Sequence, residues 1–226
     1  MAIKIAFFDC DGTLTSVKSS WEYLHRKLNI WDNNADHYQT LFREGKINYF
    51  EFCRRDAFLW KGINISRIVS MLQDIPYNTG SFEVVRALKR RGIFIIILST
   101  GLSLLVEKVR KDLGIDMALS NELLSEGGLL TGEIKINVEF DKKGCVVEKI
   151  LKHSGLNKTE ACAIGDGEGD AGMFEAVGLP IGFHSRDSAS YGVHQIIHCE
   201  SLIDVLRIID EYEIKPAIPF SQTGSI

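Results

Sequence analysis

The sequence predicts an α/β fold, a doubly wound parallel sheet with a helical insert after the first strand and a small β-hairpin flap. Three observations carry that expectation. From Thr79 onward, apolar strand-like runs alternate with helix-like segments and short Gly or Asn punctuation, the pattern of a parallel sheet covered by helices. Two acidic clusters, Phe8-Asp9-Cys10-Asp11-Gly12-Thr13-Leu14-Thr15 and Gly165-Asp166-Gly167-Glu168-Gly169-Asp170, each follow such a run and lead into a Gly-bearing turn. Between residues 16 and 77 the alternation stops, and apolar residues fall at helical spacing instead.

Taken in order, residues 3–8 (Ile-Lys-Ile-Ala-Phe-Phe) read as a buried strand. The insert carries Trp21, Leu24 and Leu28, then Phe52 and Phe58, and holds all three tryptophans of the chain, as a small helical core needs. Helix 81–91, strand 93–98 and helix 102–113 follow. Residues 121–140 alternate apolar and polar side chains around Glu126-Gly127-Gly128 and read as the hairpin flap. Helix 142–153, strand 161–164, helix 170–176, strands 179–183 and 195–198 and helix 201–212 complete the alternation. Residues 213–226 carry Pro216 and Pro219 without periodicity and read as a surface tail. The expected units are a core of residues 1–15 and 78–212, a helical cap of residues 16–77, and the tail.

At 226 residues the chain can bury a full core. A net charge of −4 without a basic run argues against nucleic acid as partner, and no apolar run approaches the ~20 residues that span a bilayer. A soluble, cytoplasmic protein acting on a small molecule is expected, with no membrane partner; composition is silent on oligomeric state. Five cysteines with no Cys-x-x-Cys pair predict reduced, packing thiols.

Crossovers of this kind bring ligands to the carboxyl ends of the strands, where both acidic clusters lie. Asp9 and Asp11, two apart in an extended segment, project from the same side of the chain. With Ser99-Thr100-Gly101, Lys143, Asp166 and Asp170 they match the needs of phosphoryl transfer: a cation to screen the phosphoryl oxygens, donors to hold them and a nucleophile in line with the leaving oxygen. Magnesium suits carboxylates that leave room for water and substrate oxygens, with Asp9 and Asp166 as its candidate ligands. Lys143 supplies a fixed positive charge, although Lys142 competes for that role. An EF-hand is disfavoured because the further ligands are missing, and a dinucleotide loop because Asp170 stands where its third glycine belongs.

This ordered set resembles the haloacid dehalogenase superfamily. The insert after the first motif, and the stretch from Glu44-Gly45-Lys46 to Lys61, resemble its phosphoserine phosphatase branch. The resemblance implies a Rossmann-like core and a magnesium-dependent phosphomonoester hydrolase acting on a small phosphorylated metabolite. In it Asp9 is the nucleophile that forms an aspartyl phosphate. Asp11 is the acid and base and lends its backbone carbonyl to the metal, Ser99, Thr100 and Gly101 hold phosphate, and Asp170 orients Lys143 or a metal-bound water. Phosphoserine phosphatase proper, or a phosphotransferase or phosphomutase using the same intermediate, are the alternatives. The branch carries a Glu and an Arg that grip serine's head group, and an ungapped alignment puts Lys18 and Asp56 in their places. Both charges are inverted. Lys18, Trp21, Tyr49, Arg54, Arg55 and Asp56 are therefore the candidate cap residues, with Lys18 and Asp56 expected either to repel serine's head group or to pair with each other. Gly169 stands where the family usually has Asn.

Overall fold

A computed structural model describes residues 2–31, 33–184 and 196–214. The elements begin with β1 (Ile5–Phe8), followed by four helices, α1 (Ser20–Lys27), α2 (Asn33–Arg43), α3 (Tyr49–Phe58) and α4 (Ile65–Gln73). Next come α5 (Ser81–Arg90), β2 (Phe94–Leu102), α6 (Ser103–Leu113), β3 (Met117–Glu126), β4 (Leu129–Lys135) and α7 (Lys143–Ser154). The last are β5 (Ala161–Gly165), α8 (Ala171–Glu175), β6 (Leu179–Phe183), β7 (Ile197–Cys199) and α9 (Asp204–Ile214).

The seven strands form one sheet in the order β4-β3-β2-β1-β5-β6-β7. β1 is buried on both faces, so it reads in the sequence as an unbroken apolar run. Its side chains alternate: Ala6 and Phe8 join the core layer that contains Val84, Leu105 and Ile208, while Ile5 and Phe7 join the layer with Val147, Leu151 and Met173. β1 lies in parallel between β2 and β5, where the winding of the sheet reverses, and this switch point opens a crevice at the strand ends.

Three departures from expectation have physical causes. The hairpin is no separate flap, because β3 begins at Met117 and pairs in parallel with β2 before its second half turns to pair antiparallel with β4. The sheet is therefore parallel except at the β4 edge. Gly127 and Gly128, at φ of 58° and 81°, make the two-residue turn that only left-handed residues allow. Second, β2 runs on through Ser99-Thr100-Gly101 to Leu102, and α6 starts only at Ser103. Third, Cys145 is exposed, whereas Cys10, Cys53, Cys162 and Cys199 are buried. Of the expected tail, Glu213 and Ile214 continue α9 and residues 215–226 lie outside the described residues; residue 195 of the last strand does too.

Thr15 and Tyr77 form an isolated antiparallel bridge, and α1 to α4 lie between those two positions. The hairpin supports these helices: Gly62 N–H donates to the Leu130 carbonyl, Leu130 N–H to Ile63, and Ile65 N–H to Gly128, all within 2.8 to 2.9 Å. Within the helices Trp21 stacks on Trp60 at 5.3 Å between ring centroids. Among the described residues no helix is long and apolar enough to cross a membrane.

Asp56 is part of this helical core rather than of the crevice. It is 4% exposed, with its Oδ1 3.6 Å from Nε2 of the fully buried His25. Neither that oxygen nor either His25 ring nitrogen has a hydrogen-bond partner. Asp56→Arg would bury a larger cation against His25 and is expected to cost on the order of 3 kcal/mol or more, read as a lowered melting temperature. A variant that melts like the parent would show that the site is open enough to release the side chain to solvent.

Candidate active site

The two acidic clusters meet because β1 and β5 are neighbours and end together, Phe8 opposite Ile164. Asp9 N–H donates to the Ile164 carbonyl at 2.9 Å, which fixes the first residue beyond β1 against the end of β5. The chain then turns at Gly12, with φ of 85°, and a β-carbon there would stand 2.3 Å from Asp166 Oδ2, so the loop needs glycine on two counts. Thr13 Oγ1 donates to Asp166 Oδ1 at 3.1 Å. Asn78 holds the loop from the other side, its Nδ2 lying 2.8 to 3.0 Å from the carbonyls of Gly12, Thr13 and Thr15.

Lys143, the first residue of α7, is only 2% exposed and places its ammonium between two carboxylates, 2.6 Å from Asp9 Oδ1 and 2.6 Å from Asp170 Oδ1. Burial pulls this amine down, but Asp170 and Asp9 more than offset that and hold it above its ordinary value. Lys142, its competitor in the sequence, points to solvent and meets only Asp141, at 3.4 Å. Asp170 also accepts from Gly167 N–H at 3.1 Å, and a β-carbon on Gly165 would collide with its carboxylate at 2.3 Å.

Asp9, Asp166 and Asp170 each offer an oxygen within 4.8 Å of the others. Burial, then the carboxylate of Asp170, pushes Asp166 up to about 6. Burial raises Asp9 as well, with Lys143 pulling it back down and Asp170 and Asp166 adding to the rise. One ammonium does not balance three gathered carboxylates, and a hard divalent cation fits that imbalance and the all-oxygen donor set. The Asp11 side chain is not part of the group.

A pH dependence follows from Asp166. Its folded value, about 6, lies above the ordinary 3.8, so the penalty for burying its charge is complete above about pH 6 and shrinks as pH falls from there towards 3.8. Protein stripped of cations is expected to melt higher at about pH 5 than at pH 7, while its affinity for a divalent cation falls about tenfold per pH unit below pH 6 as one proton competes. Calorimetric titration and thermal melts across this range check both signs.

Asp11 stands apart. Its Oδ2 accepts the Ser20 N–H at 2.6 Å, at the start of α1, while its Oδ1 is buried with no partner. Burial raises this carboxyl, and the Ser20 hydrogen bonds moderate the rise. Gly101 lies so close that a β-carbon there would be 2.9 Å from Asp11 Oδ2. Ser99 Oγ accepts from Gly101 N–H at 3.0 Å, which leaves its own hydrogen to donate. The Thr100 carbonyl accepts from Trp21 Nε1 at 3.3 Å, Tyr49 Oη at 3.2 Å and Asn121 Nδ2 at 3.1 Å. Two helices of the insert are thereby tied to the strand end.

A cavity of about 870 Å³ opens over this constellation, lined by Asp9, Asp11, Ser99, Thr100, Gly101, Lys143, Asp166 and Asp170. Among the cap candidates it includes Lys18, Trp21 and Tyr49 and leaves out Arg54, Arg55 and Asp56. Arg54 and Arg55 both bind Glu51, at 3.1 and 2.8 Å, because on α3 they share the face of that residue. Asp56 is enclosed with His25, so the expected pair with Lys18 does not form. The lining also holds Gln39, Phe42, Arg43, Phe52, Phe140 and Glu168, which motif reasoning does not single out. At Gly169 a β-carbon would stand 3.0 Å from the Phe140 ring, so the usual Asn would require that ring to give way by a few tenths of an ångström.

A family model described as haloacid dehalogenase-like hydrolase matches residues 6–175. The chain is 30% identical over 207 residues to a phosphoserine phosphatase of Methanocaldococcus jannaschii, covering 91% of this chain and 97% of that protein. Its fold is similar to a phospho-aspartyl intermediate analogue of phosphoserine phosphatase, with a TM-score of 0.77, 28% identity and coverage of 92% and 99%. A substrate-bound phosphoserine phosphatase complex is equally similar, with a TM-score of 0.78, 27% identity and coverage of 92% and 98%.

Proposed function

The chain belongs to the haloacid dehalogenase-like hydrolases and is a phosphatase, and from that premise we propose that it cleaves a small phosphomonoester with Asp9 as nucleophile and Asp11 as acid and base. The observation that carries the assignment of roles is the unequal setting of the two carboxyls. Burial raises both, but Asp9 meets the Lys143 ammonium at 2.6 Å, which works against that rise and favours its ionised form, whereas Asp11 makes no ion pair and keeps one buried oxygen without a partner. An ionised carboxylate attacks phosphorus; a protonated neighbour donates to the departing alkoxide and then, ionised, draws a proton from the water that opens the aspartyl phosphate.

Asp9 and Asp166, with the Asp11 backbone carbonyl, would hold magnesium, which when bound would screen the phosphoryl oxygens. Ser99, Thr100 and Gly101 line the same end of the cavity, and the free hydrogen of the Ser99 hydroxyl suits a phosphoryl oxygen. Asp170 orients Lys143. Residues 16–77 act as a cap that covers the leaving group, anchored through Trp21 and Tyr49 on Thr100. A cytoplasmic site of action accords with an acidic sequence and with described residues among which no helix is long and apolar enough to cross a membrane.

Asp11→Asn tests the assignment. Loss of the acid is expected to slow alkyl phosphates by about 10²- to 10⁴-fold and p-nitrophenyl phosphate much less, because only the alkoxide needs a proton as it leaves. Equal losses for both esters would remove Asp11 from that role.

A further inference from the structure

Among the described residues, the cavity wall contributed by the helical insert is made of Lys18, Ser19, Trp21, Gln39, Phe42, Arg43, Tyr49 and Phe52, with two cations and no carboxylate among them. Lys18 precedes α1 and Arg43 ends α2, and both are exposed. Neither forms an ion pair among the described residues, in contrast to Arg54 and Arg55, which are neutralised by Glu51. Beside Arg43 the wall is aromatic: Phe42 stacks on Phe52 at 5.3 Å and meets Phe140 edge-on at 5.8 Å. The described carboxylates of the cavity, Asp9, Asp11, Asp166, Glu168 and Asp170, are all on the core side, and on the reading given under Proposed function the leaving group of an ester faces the opposite wall.

Resting on the phosphatase reading above, we propose that Arg43 and Lys18 select a leaving group that carries an anionic oxygen group and needs no ammonium. Two cations that share a cavity wall with aromatic rings, Lys18 near enough to act on Asp166 as well, favour an anion, since a guanidinium offers paired donors to a carboxylate or phosphate. An ammonium placed there meets repulsion from both, and none of the described lining residues of the insert offers it a counter-charge. Glu168, on the core side, is the single further acid in the lining and lies in the loop beyond β5.

The test is a set of small esters whose leaving groups differ in charge, assayed with magnesium: glycolate phosphate, 2-hydroxyethyl phosphate, phosphoethanolamine, L-phosphoserine and ethylene glycol bisphosphate. The expected kcat/KM for glycolate phosphate exceeds that for 2-hydroxyethyl phosphate at least tenfold, with phosphoethanolamine lowest and phosphoserine below glycolate phosphate. The bisphosphate arm tells a second phosphate from a carboxylate, whichever of the two leads. Arg43→Gln is expected to lower the ratio of glycolate to hydroxyethyl ester at least tenfold, Lys18→Gln severalfold, and Arg43→Lys to restore part of it. Phosphoserine as the best ester, or a ratio unmoved in both Gln variants, would overturn the proposal. Hydrolysis of p-nitrophenyl phosphate that depends on Asp9 keeps the two readings separate: its presence with a flat ratio rejects the selection alone, and its absence rejects the phosphatase roles on which the selection rests.

Discussion

Asp9→Asn is expected to abolish turnover, with a loss of roughly 10⁴-fold or more, while the protein stays folded. The amide is nearly isosteric with the carboxylate and keeps the hydrogen bond from Lys143 available to its oxygen, so the packing beyond β1 survives. What it loses, on the proposed route, is the nucleophile: an amide oxygen does not form an acyl phosphate that water can open. Because burial already raises Asp9, removing its charge also lightens the crowding of Asp166 and Asp170, and the melting temperature should hold or rise. Beryllium fluoride, a phosphoryl mimic, is expected to bind the parent next to Asp9 and to fail with the variant. Parent-like turnover in protein whose mass excludes deamidation would reject the covalent route.

The parts of this site differ in how plainly the sequence states them, and the reason is geometric. β1 and β5 are buried on both faces, so they appear as continuous apolar runs, and carboxylates just past their ends are placed by the pleat alone. Lys143 is legible by its order among the motifs, and the structure separates it from Lys142 by rotation at the start of α7. The end of β2 is not legible, because Ser99, Thr100 and Gly101 are small or polar and read as a turn although they continue the strand. The first half of β3, with partly exposed residues, gives no alternating signal either.

The cap is the least legible region. An alignment supplies a position along a helix but not its rotation, and rotation is decided by what the helix packs against. Asp56 turns inward to His25, and Arg54 and Arg55 are occupied by Glu51. Beside Lys18, which the alignment does single out, the cap cation that lines the cavity is Arg43, which no spacing rule distinguishes from its neighbours. Asn78 and Asn121 are missed for a related reason. Each is a lone amide in the sequence, and becomes a junction only where distant carbonyls converge; Asn121 joins Thr100, Val138 and Tyr49.

Lys143→Met is expected to cost about 10³-fold in kcat/KM and to make both activity and stability more sensitive to pH. The ammonium is the principal charge holding the raised Asp9 down, and without it burial and the neighbouring Asp170 and Asp166 act unopposed. Less of the nucleophile is ionised at a given pH, so the acidic limb of the kcat/KM profile moves to higher pH. Stability follows the same sign. In the parent, the raised amine contributes its stabilisation throughout the range below its ordinary value of 10.5, so that contribution is level near neutrality. In the variant, two buried carboxylates lose their counter-charge, a cost of about 3 to 5 kcal/mol when both are ionised. Protonation relieves it as pH falls, so the melting deficit against the parent should be large at about pH 8 and smaller at about pH 5. Lys142→Met, which removes a solvent-facing amine, should show neither effect. A deficit equal at both pH values, with the acidic limb unmoved, would mean that Lys143 fills space at the head of α7 and does not set the charge state of Asp9.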